Sequence, residues 1–263
     1  MRCVHEASRH DVNCFITLTY NDENMPENGQ LEKKHFQDFM KRLRRANEPH
    51  KIRFFAAGEY GEVCVKHRDR NCSVCKFGRP HFHACLFGFD FLDKKYFKDS
   101  NGVPLFTSEH LEERWEHKGF ATVGSLTFES AAYTARYVLK KITGDHAYDH
   151  YECMDTDTGE LFMKQSEFCT MSRRPGVGRE WLDEFGNETF KDDFVVLRGI
   201  KMRPPRYYDE VYKIDNPEKF EVLKDRRKAE AKARAHDNTP QRLEAREKVK
   251  QAQLGMLHRS LDK

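Results

Sequence analysis

Apolar and polar residues alternate along the first half of the chain with two distinct periods. A period of two predicts a strand with one buried face, and a period of three to four predicts an amphipathic helix. The pattern predicts strands at 14–20, 51–60, 80–88 and 119–126, and helices at 31–46, 108–116 and 128–143. The order βα-ββ-αβ-α is typical of an α+β fold, in which helices back an antiparallel central sheet.

The pattern is weaker after residue 144. Residues 145–160 predict an irregular connection, residues 161–212 a less regular layer, and residues 218–263 a polar helix in two pieces, broken at 237–240. We therefore expect an extra C-terminal layer and a polar helical tail beside the central sheet. The expected regions are a core at 1–144, an accessory layer with basic loops at 145–215 and a charged helical tail at 216–263.

Charge is distributed unevenly between these regions. Charged residues make up 34% of the chain and its mean hydropathy is −0.86, but the net charge is only +3. Residues 218–263 hold 13 Lys and Arg against 8 Asp and Glu, so the tail is expected to add non-specific attraction to nucleic acid. A solvated helix with no partner is the alternative.

No segment approaches 18 consecutive apolar residues, and residues 1–13 lack the apolar run of a signal peptide. These features predict a soluble intracellular protein with no membrane partner. In a reducing compartment the eight cysteines are expected to be core residues or metal ligands rather than a disulfide framework.

Three residues on adjacent predicted strands form a candidate metal site. His81 and His83 stand at i and i+2 of one strand, so their imidazoles share a face. Glu59, near the end of the preceding strand, can approach them if the two strands pair. Two imidazoles and a carboxylate with open positions suit catalytic Mg²⁺ or Mn²⁺. The alternative is a structural histidine pair and a surface glutamate.

The helix at 128–143 carries two tyrosines four residues apart. Tyr133 and Tyr137 share one face, which Lys140 and Lys141 flank. That face is expected to lie opposite the apolar stripe of Phe128, Ala131, Ala132, Ala135, Val138, Leu139 and Ile142. A phenol is a poor nucleophile unless its anion is stabilised, which a metal-bound phosphate and lysines can do. A tyrosine pair used for packing is the alternative.

The segment between Glu59 and His81 contains a second candidate metal site. Cys64, His67, Cys72 and Cys75 have the spacing C-x2-H-x4-C-x2-C, which suits structural Zn²⁺. A basic loop with free thiols is the alternative.

Two arginine pairs are candidate DNA contacts. Arg173 and Arg174 precede a Pro-Gly-Val-Gly segment whose glycines allow a close approach to phosphate. Arg203 and Arg206 adjoin Tyr207–Tyr208, so phosphate contacts and base stacking can combine there. A solvated loop and core tyrosines are the alternative.

The strand CFITLTY, the strand PHFH and the helix YTARYVLKK, in this order, resemble HUH-type rolling-circle replication initiators. The resemblance is to the replication-initiation proteins of gokushovirus-type microviruses (Microviridae). Segments AAGEYG, TMSRRPGVGREW and RPPRYYD are similar to further blocks of that family, so the resemblance covers about residues 12–210. The cysteine-containing insertion after Glu59 departs from the family pattern.

The resemblance implies a function and a site. His81 and His83 would bind the divalent metal, with Glu59 as an additional ligand, and Tyr133 and Tyr137 would be the nucleophiles. One tyrosine would nick single-stranded origin DNA through a 5′-phosphotyrosine intermediate, and the other would rejoin strands after a round of replication. The protein would act in the cytoplasm of the bacterial host. The sequence lacks a Walker-type GxxxxGK[ST] motif, so a host helicase and polymerase are expected partners; no oligomeric state is predicted.

Two other functions remain open at the level of sequence. A metal-dependent phosphoesterase that uses water would cleave without a covalent adduct and would tolerate Tyr→Phe changes. A non-catalytic, zinc-stabilised nucleic-acid-binding module would bind without cleaving and would unfold on chelation.

Overall fold

The computed structural model describes residues 1–67, 76–100, 102–136, 141–155 and 157–256. The chain forms two compact units. One comprises residues 3–178, and the other comprises residues 1–2 together with the chain from Arg179 onward.

The unit of residues 3–178 is built on a seven-stranded antiparallel sheet. Its strand order is β4-β5-β6-β1-β3-β2-β9, and β7 and β8 form a separate hairpin. The strands are β1 (Asn13–Thr19), β2 (Arg53–Cys64), β3 (Gly78–Phe87), β4 (Lys95–Ser100), β5 (Val103–Thr107), β6 (Ala121–Ser125), β7 (Glu152–Met154), β8 (Leu161–Met163) and β9 (Phe168–Met171).

Helices back this sheet, so the predicted α+β class with an antiparallel sheet is confirmed. A short 3₁₀ helix also occurs at Glu27–Gly29. The α-helices up to residue 178 are α1 (Arg2–Ala7), α2 (Lys33–Ala46), α3 (Glu109–Arg114), α4 (Phe128–Arg136) and α5 (His146–Tyr151).

One face of the sheet forms the main hydrophobic core with α2. The predicted apolar stripe of α2 is buried: Phe36, Phe39, Met40 and Leu43 are all at most 2% exposed. Successive strand residues point to opposite faces, so Phe82 of β3 enters this core while its two neighbouring histidines face the other side. The alternation in β3 therefore places the candidate metal ligands away from the main core.

Two elements differ from the sequence prediction. The β4–β5 hairpin extends the sheet at one edge where no strand was predicted. Helix α4 extends to Arg136, and residues 141–143, predicted to be helical, are not helical. The amide of Ile142 donates to the hydroxyl of Tyr151 (3.1 Å), so a side chain satisfies the donor that a continuing helix would have used.

The other unit has its own small core. Tyr208 is fully buried and stacks on Trp181 with 5.8 Å between ring centroids. Tyr208 therefore packs in a core, and the expectation that it offers a base-stacking surface is wrong. The predicted break in the polar tail is confirmed by a 3₁₀ turn at Ala235–Asp237. The elements are α6 (Arg179–Asp192), β10 (Val195–Leu197), β11 (Ile200–Met202), α7 (Arg206–Asp215), α8 (Pro217–Ala233) and α9 (Pro240–Gly255).

Within the residues that the structure describes, no helix combines the length and the apolar character needed to cross a membrane.

Candidate metal centre and nucleophile

The pairing of β2 with β3 brings the three predicted metal ligands together. Glu59 lies directly opposite His81 in the antiparallel register, and directly opposite residues point to the same face of a sheet. His83, two residues further along β3, shares that face. Candidate ligand atoms of all three residues lie within 4.8 Å of one another.

The Glu59 carboxylate lies between the two imidazoles. Its Oε1 atom is 2.8 Å from Nε2 of His81 and 3.2 Å from Nε2 of His83. Glu59 and His83 are buried, whereas His81 retains a small exposed edge. The cluster is therefore held inside the sheet face but is open at His81.

The Nδ1 atoms of both histidines are held by groups outside the cluster. Nδ1 of His81 lies 3.0 Å from the carbonyl oxygen of Arg79, and Nδ1 of His83 lies 2.9 Å from Oγ1 of Thr17. A carbonyl oxygen only accepts, so His81 donates from Nδ1 and a neutral ring carries its lone pair on Nε2. That lone pair faces a carboxylate oxygen, an arrangement that is favourable only if a proton or a metal cation lies between them.

The donor atoms fit a divalent cation. Burial alone would raise the pKa of Glu59, but hydrogen bonds and charge interactions with His81 and His83 hold it well below its usual range. The carboxylate is therefore ionised, as a ligand must be. Two ligands at right angles, each about 2.1 Å from Mg²⁺, would be about 3.0 Å apart. The observed separations of 2.8 and 3.2 Å bracket that value.

Tyr133 packs against this cluster. Its ring meets the His83 ring edge to face, with 5.0 Å between centroids and an interplanar angle of 82°, and its side chain is 5% exposed. The Arg136 guanidinium, one turn further along α4, lies 5.8 Å from the centroid of the Tyr133 ring. A phenol, a cation and the candidate metal ligands therefore occupy one site.

The predicted orientation of α4 is wrong. Tyr133 was expected opposite the apolar stripe, but it lies on the buried face, whereas Ala135 of that stripe is exposed. Alanines bury little apolar area, so the large tyrosine ring determines which face packs on β2 and β3. The polar member Thr134 is accommodated because its hydroxyl donates to the carbonyl of Ser130 (3.0 Å).

The other predicted catalytic residues lie outside this description or away from the helix. Tyr137 and Lys140 are outside the described residues. Lys141 is exposed and follows the helical part of the segment. Only Tyr133 of the predicted catalytic group is therefore brought into contact with the candidate metal ligands within the described part of the chain.

Half of the predicted zinc site is described. Sγ of Cys64 lies 3.6 Å from Nδ1 of His67, which is compatible with a shared ligand. Cys72 and Cys75 lie outside the described residues, so the zinc site stays a prediction.

Arg173 and Arg174 are exposed at a loop next to β9. The loop is fixed from below, because the Pro175 carbonyl accepts from Arg53 (2.9 Å) and the Gly178 amide donates to Glu6 (2.5 Å). Gly178 has a positive φ of 80°, which favours glycine. The two guanidinium groups are therefore presented on an anchored backbone.

Arg203 and Arg206 belong to the other unit. Arg203 pairs with Asp193 and Glu230, and Arg206 is exposed and lies 3.6 Å from Glu210. Arg203 therefore already has two carboxylate partners, which lowers its availability for phosphate.

Several supporting residues were not identified from the sequence. Thr17 and the Arg79 carbonyl orient the two histidines, and Phe15 stacks on the His83 ring with 5.7 Å between centroids. Phe15 and Thr17 alternate on β1, so the signal was their position on the strand face opposite the apolar core. The pairing of β1 with β3, which places Thr17 opposite His83, was needed to use it.

Comparisons with known proteins agree with this site. Residues 13–142 match the sequence model of the replication-associated protein ORF2 family. The chain is 31% identical over 231 residues to replication-associated protein VP4 of Bdellovibrio phage phiMH2K and 30% identical over 234 residues to replication-associated protein ORF2 of Spiroplasma virus 4. Each alignment covers 84% of this chain and 64% of the relative.

A third relative is replication-associated protein ORF4 of Chlamydia phage 1. It is 28% identical over 218 residues, which cover 78% of this chain and 47% of the relative. The chain thus spans less than two thirds of the length of these relatives. No solved structure matches the chain significantly. The matched region contains the sheet, the histidine pair and Tyr133, and residues 13–142 of this chain belong to the replication-associated protein ORF2 family, which has members in small phages.

Proposed function

We propose that this chain is a metal-dependent endonuclease that nicks single-stranded origin DNA and so initiates rolling-circle replication. The observation that carries the proposal is the contact between Tyr133 and His83 within the Glu59–His81–His83 cluster. A buried phenol beside three metal-ligand side chains suits attack on a phosphodiester better than it suits packing alone.

Glu59, His81 and His83 would hold Mg²⁺ or Mn²⁺. The cation supplies a Lewis acid that polarises the scissile phosphate. Thr17 and the Arg79 carbonyl keep the imidazoles oriented toward that position. His81, which retains an exposed edge, lies on the side that substrate can reach.

Tyr133 is the proposed nucleophile of the nicking step. Its hydroxyl oxygen forms a bond to phosphorus as the bond from phosphorus to the 3′ oxygen breaks. The phenolic proton is lost and the departing oxygen gains a proton, so the products are a 5′-phosphotyrosine and a free 3′-hydroxyl. Attack of a 3′-hydroxyl on the phosphotyrosine reverses these bonds and rejoins a strand without ATP. Arg136, beside the Tyr133 ring, stabilises the developing phenolate.

Tyr137, Lys140 and Lys141 complete the proposed catalytic group. Tyr137 would act as the second nucleophile in strand rejoining, and the lysines would balance phosphate charge. Arg173, Arg174, Arg203 and Arg206 are proposed as DNA contacts. A host helicase and polymerase would unwind and copy the DNA in the bacterial cytoplasm.

The proposal is tested with labelled single-stranded origin DNA from the phage genome that encodes this chain. The wild type is incubated with Mn²⁺, with Mg²⁺ or with chelator, and the products are separated on a denaturing gel. We expect a metal-dependent protein–DNA band that disappears when both Tyr133 and Tyr137 are changed to phenylalanine. Cleavage without this band, unchanged in the double variant, would establish a water-using phosphoesterase instead. Binding without cleavage would favour a non-catalytic module.

A further inference from the structure

The edge of the sheet formed by β4 and β5 carries exposed aromatic residues next to lysines. Phe97 and Phe120 are each 45% exposed, and their rings contact each other with 4.9 Å between centroids. Lys95 and Lys98 flank Phe97 and are also exposed. Scattered exposed apolar residues are ordinary, but two phenylalanine rings that contact each other between lysines form a defined surface. We name Lys95, Phe97, Lys98 and Phe120 the hairpin platform.

The hairpin platform lies on the same face of the sheet as the candidate metal centre. Thr19 is directly opposite His81 on one side, and on its other side its amide and hydroxyl donate to the Phe120 carbonyl (3.0 and 2.7 Å). Thr19 separates His81 from Phe120 by two strand spacings, about 10 Å. Glu59, His81, Thr19 and Phe120 therefore form one row across the sheet, and Phe97 continues it.

Side-chain contacts one row further along support this arrangement. Leu105 lies opposite Lys98 and opposite Gly124. A Cβ on Gly124 would stand 3.3 Å from Leu105 and 3.9 Å from Phe15, so those two side chains lie on one face. Phe15 in turn stacks on His83. The face that bears the histidines thus continues to the hairpin.

We propose that the hairpin platform binds unpaired nucleotides of the DNA strand whose phosphate lies at the metal centre. This inference rests on the proposed function, because it assigns a further subsite for the same substrate. Exposed aromatic rings offer stacking surfaces for bases of any sequence, and lysines neutralise phosphates. Lys95 and Lys98 form no ion pair within the described part of the chain, so their charges are available.

The charge of the platform selects this occupant over a protein partner. An apolar protein contact would be served by the two phenylalanines without the lysines, whereas a polyanion with stacking bases uses both. The same hairpin also provides an internal control. Tyr96 is 62% exposed, but it packs against Phe106 on the opposite face of the sheet, with 6.2 Å between centroids.

The test measures binding of fluorescent oligo(dT) to the full chain in chelator, so that no cleavage occurs. We expect Phe97→Ala with Phe120→Ala to weaken binding about tenfold or more, as the loss of a stacked base predicts, and Tyr96→Ala to leave it unchanged. Changing Lys95 and Lys98 to glutamine should lower the slope of log affinity against log salt by about 1.4. Phe97→Trp should gain a fluorescence signal that oligo(dT) quenches, relative to the wild type with its two native tryptophans.

Unchanged affinity in the double alanine variant, with no quenching of the new tryptophan, would overturn the inference. A change in self-association of that variant by sedimentation, with DNA binding intact, would also overturn it and assign the surface to a second copy of the chain. Nicking of origin DNA is measured separately. If wild type binds oligo(dT) through the platform but forms no tyrosine adduct, the proposed function fails while the platform stands; if it nicks DNA with platform variants binding normally, only the platform fails.

Discussion

The ring of Tyr133 meets the ring of His83 edge to face, with 5.0 Å between their centroids. This contact joins α4 to β3 across the buried face of the helix, so the helix position and the histidine position are mutually constrained. The candidate nucleophile and the candidate metal ligands are thus brought together by packing before any substrate binds.

Thr17 is expected to determine metal affinity through His83. Removing its hydroxyl with Thr17→Val leaves Nδ1 of His83 without the partner 2.9 Å away, so the ring is less well oriented. We expect Mn²⁺ binding, measured by calorimetry, to weaken about tenfold. Thr17→Ser keeps the hydroxyl and should bind Mn²⁺ nearly as the wild type does. Equal affinity in Thr17→Val and Thr17→Ser would show that this hydrogen bond has no role in metal binding.

Arg173 and Arg174 are expected to contribute to DNA affinity through phosphate charge. Changing both to glutamine should lower the slope of log affinity against log salt by about 1.4 for single-stranded DNA. The measurement is fluorescence anisotropy over a series of salt concentrations. Arg45→Gln, on the exposed face of α2, is the control and should leave the slope unaltered. A slope that stays the same in the double variant would remove this loop from the DNA path.

Glu6 is expected to stabilise the fold. It is buried, pairs with Arg53 and accepts from the Gly178 amide, so Glu6→Ala leaves a buried cation without its partner. We expect the free energy of unfolding in urea to fall by about 3 kcal/mol. Asp38→Ala, which removes an exposed ion-pair partner on α2, is the control and should change stability little. Similar stabilities for the two variants would contradict a structural role of Glu6.

The same carboxylate predicts a pH dependence. Burial alone would raise the pKa of Glu6, but His10, Arg53 and the Gly178 amide around it lower that pKa from 4.5 to about 2. A carboxyl whose pKa is lower in the folded state contributes stability above its unfolded pKa and loses it as the pH falls. The stability difference between wild type and Glu6→Ala should therefore be largest above about pH 4.5 and shrink toward pH 2, as urea unfolding at several pH values would show.

The sequence predicted the elements whose periodicity and burial agree. Strands β1, β2, β3 and β6 and helix α2 were found because each has one buried apolar face. The β4–β5 hairpin was missed because the exposed segment KYFKDS lacks this alternation, although Asn101–Gly102 is a strong hairpin-turn sequence. Pattern analysis detects burial, and an exposed edge hairpin has little of it.

The candidate metal ligands were accessible to sequence reasoning, but the orientation of α4 was not. His81 and His83 share a face because a strand has a period of two, and Glu59 needed only the pairing of two neighbouring strands. The helix face was misjudged because Ala131, Ala132 and Ala135 were weighted as apolar, while the buried area of Tyr133 outweighs theirs. Tertiary packing therefore decided a choice that helical periodicity left nearly balanced.

The most direct test of the central claim is to identify the tyrosine that becomes linked to DNA. The adduct formed by the wild type with origin DNA and Mn²⁺ is digested with nuclease and trypsin and analysed by mass spectrometry. Cleavage after Arg136 places Tyr133 in peptide 119–136 and Tyr137 in peptide 137–140. The account predicts that the nucleotide mass of the first nick is on peptide 119–136 and that Tyr133→Phe abolishes it. A nucleotide found on peptide 137–140 alone, or an undiminished adduct in Tyr133→Phe, would contradict the assignment of Tyr133 as the nicking nucleophile.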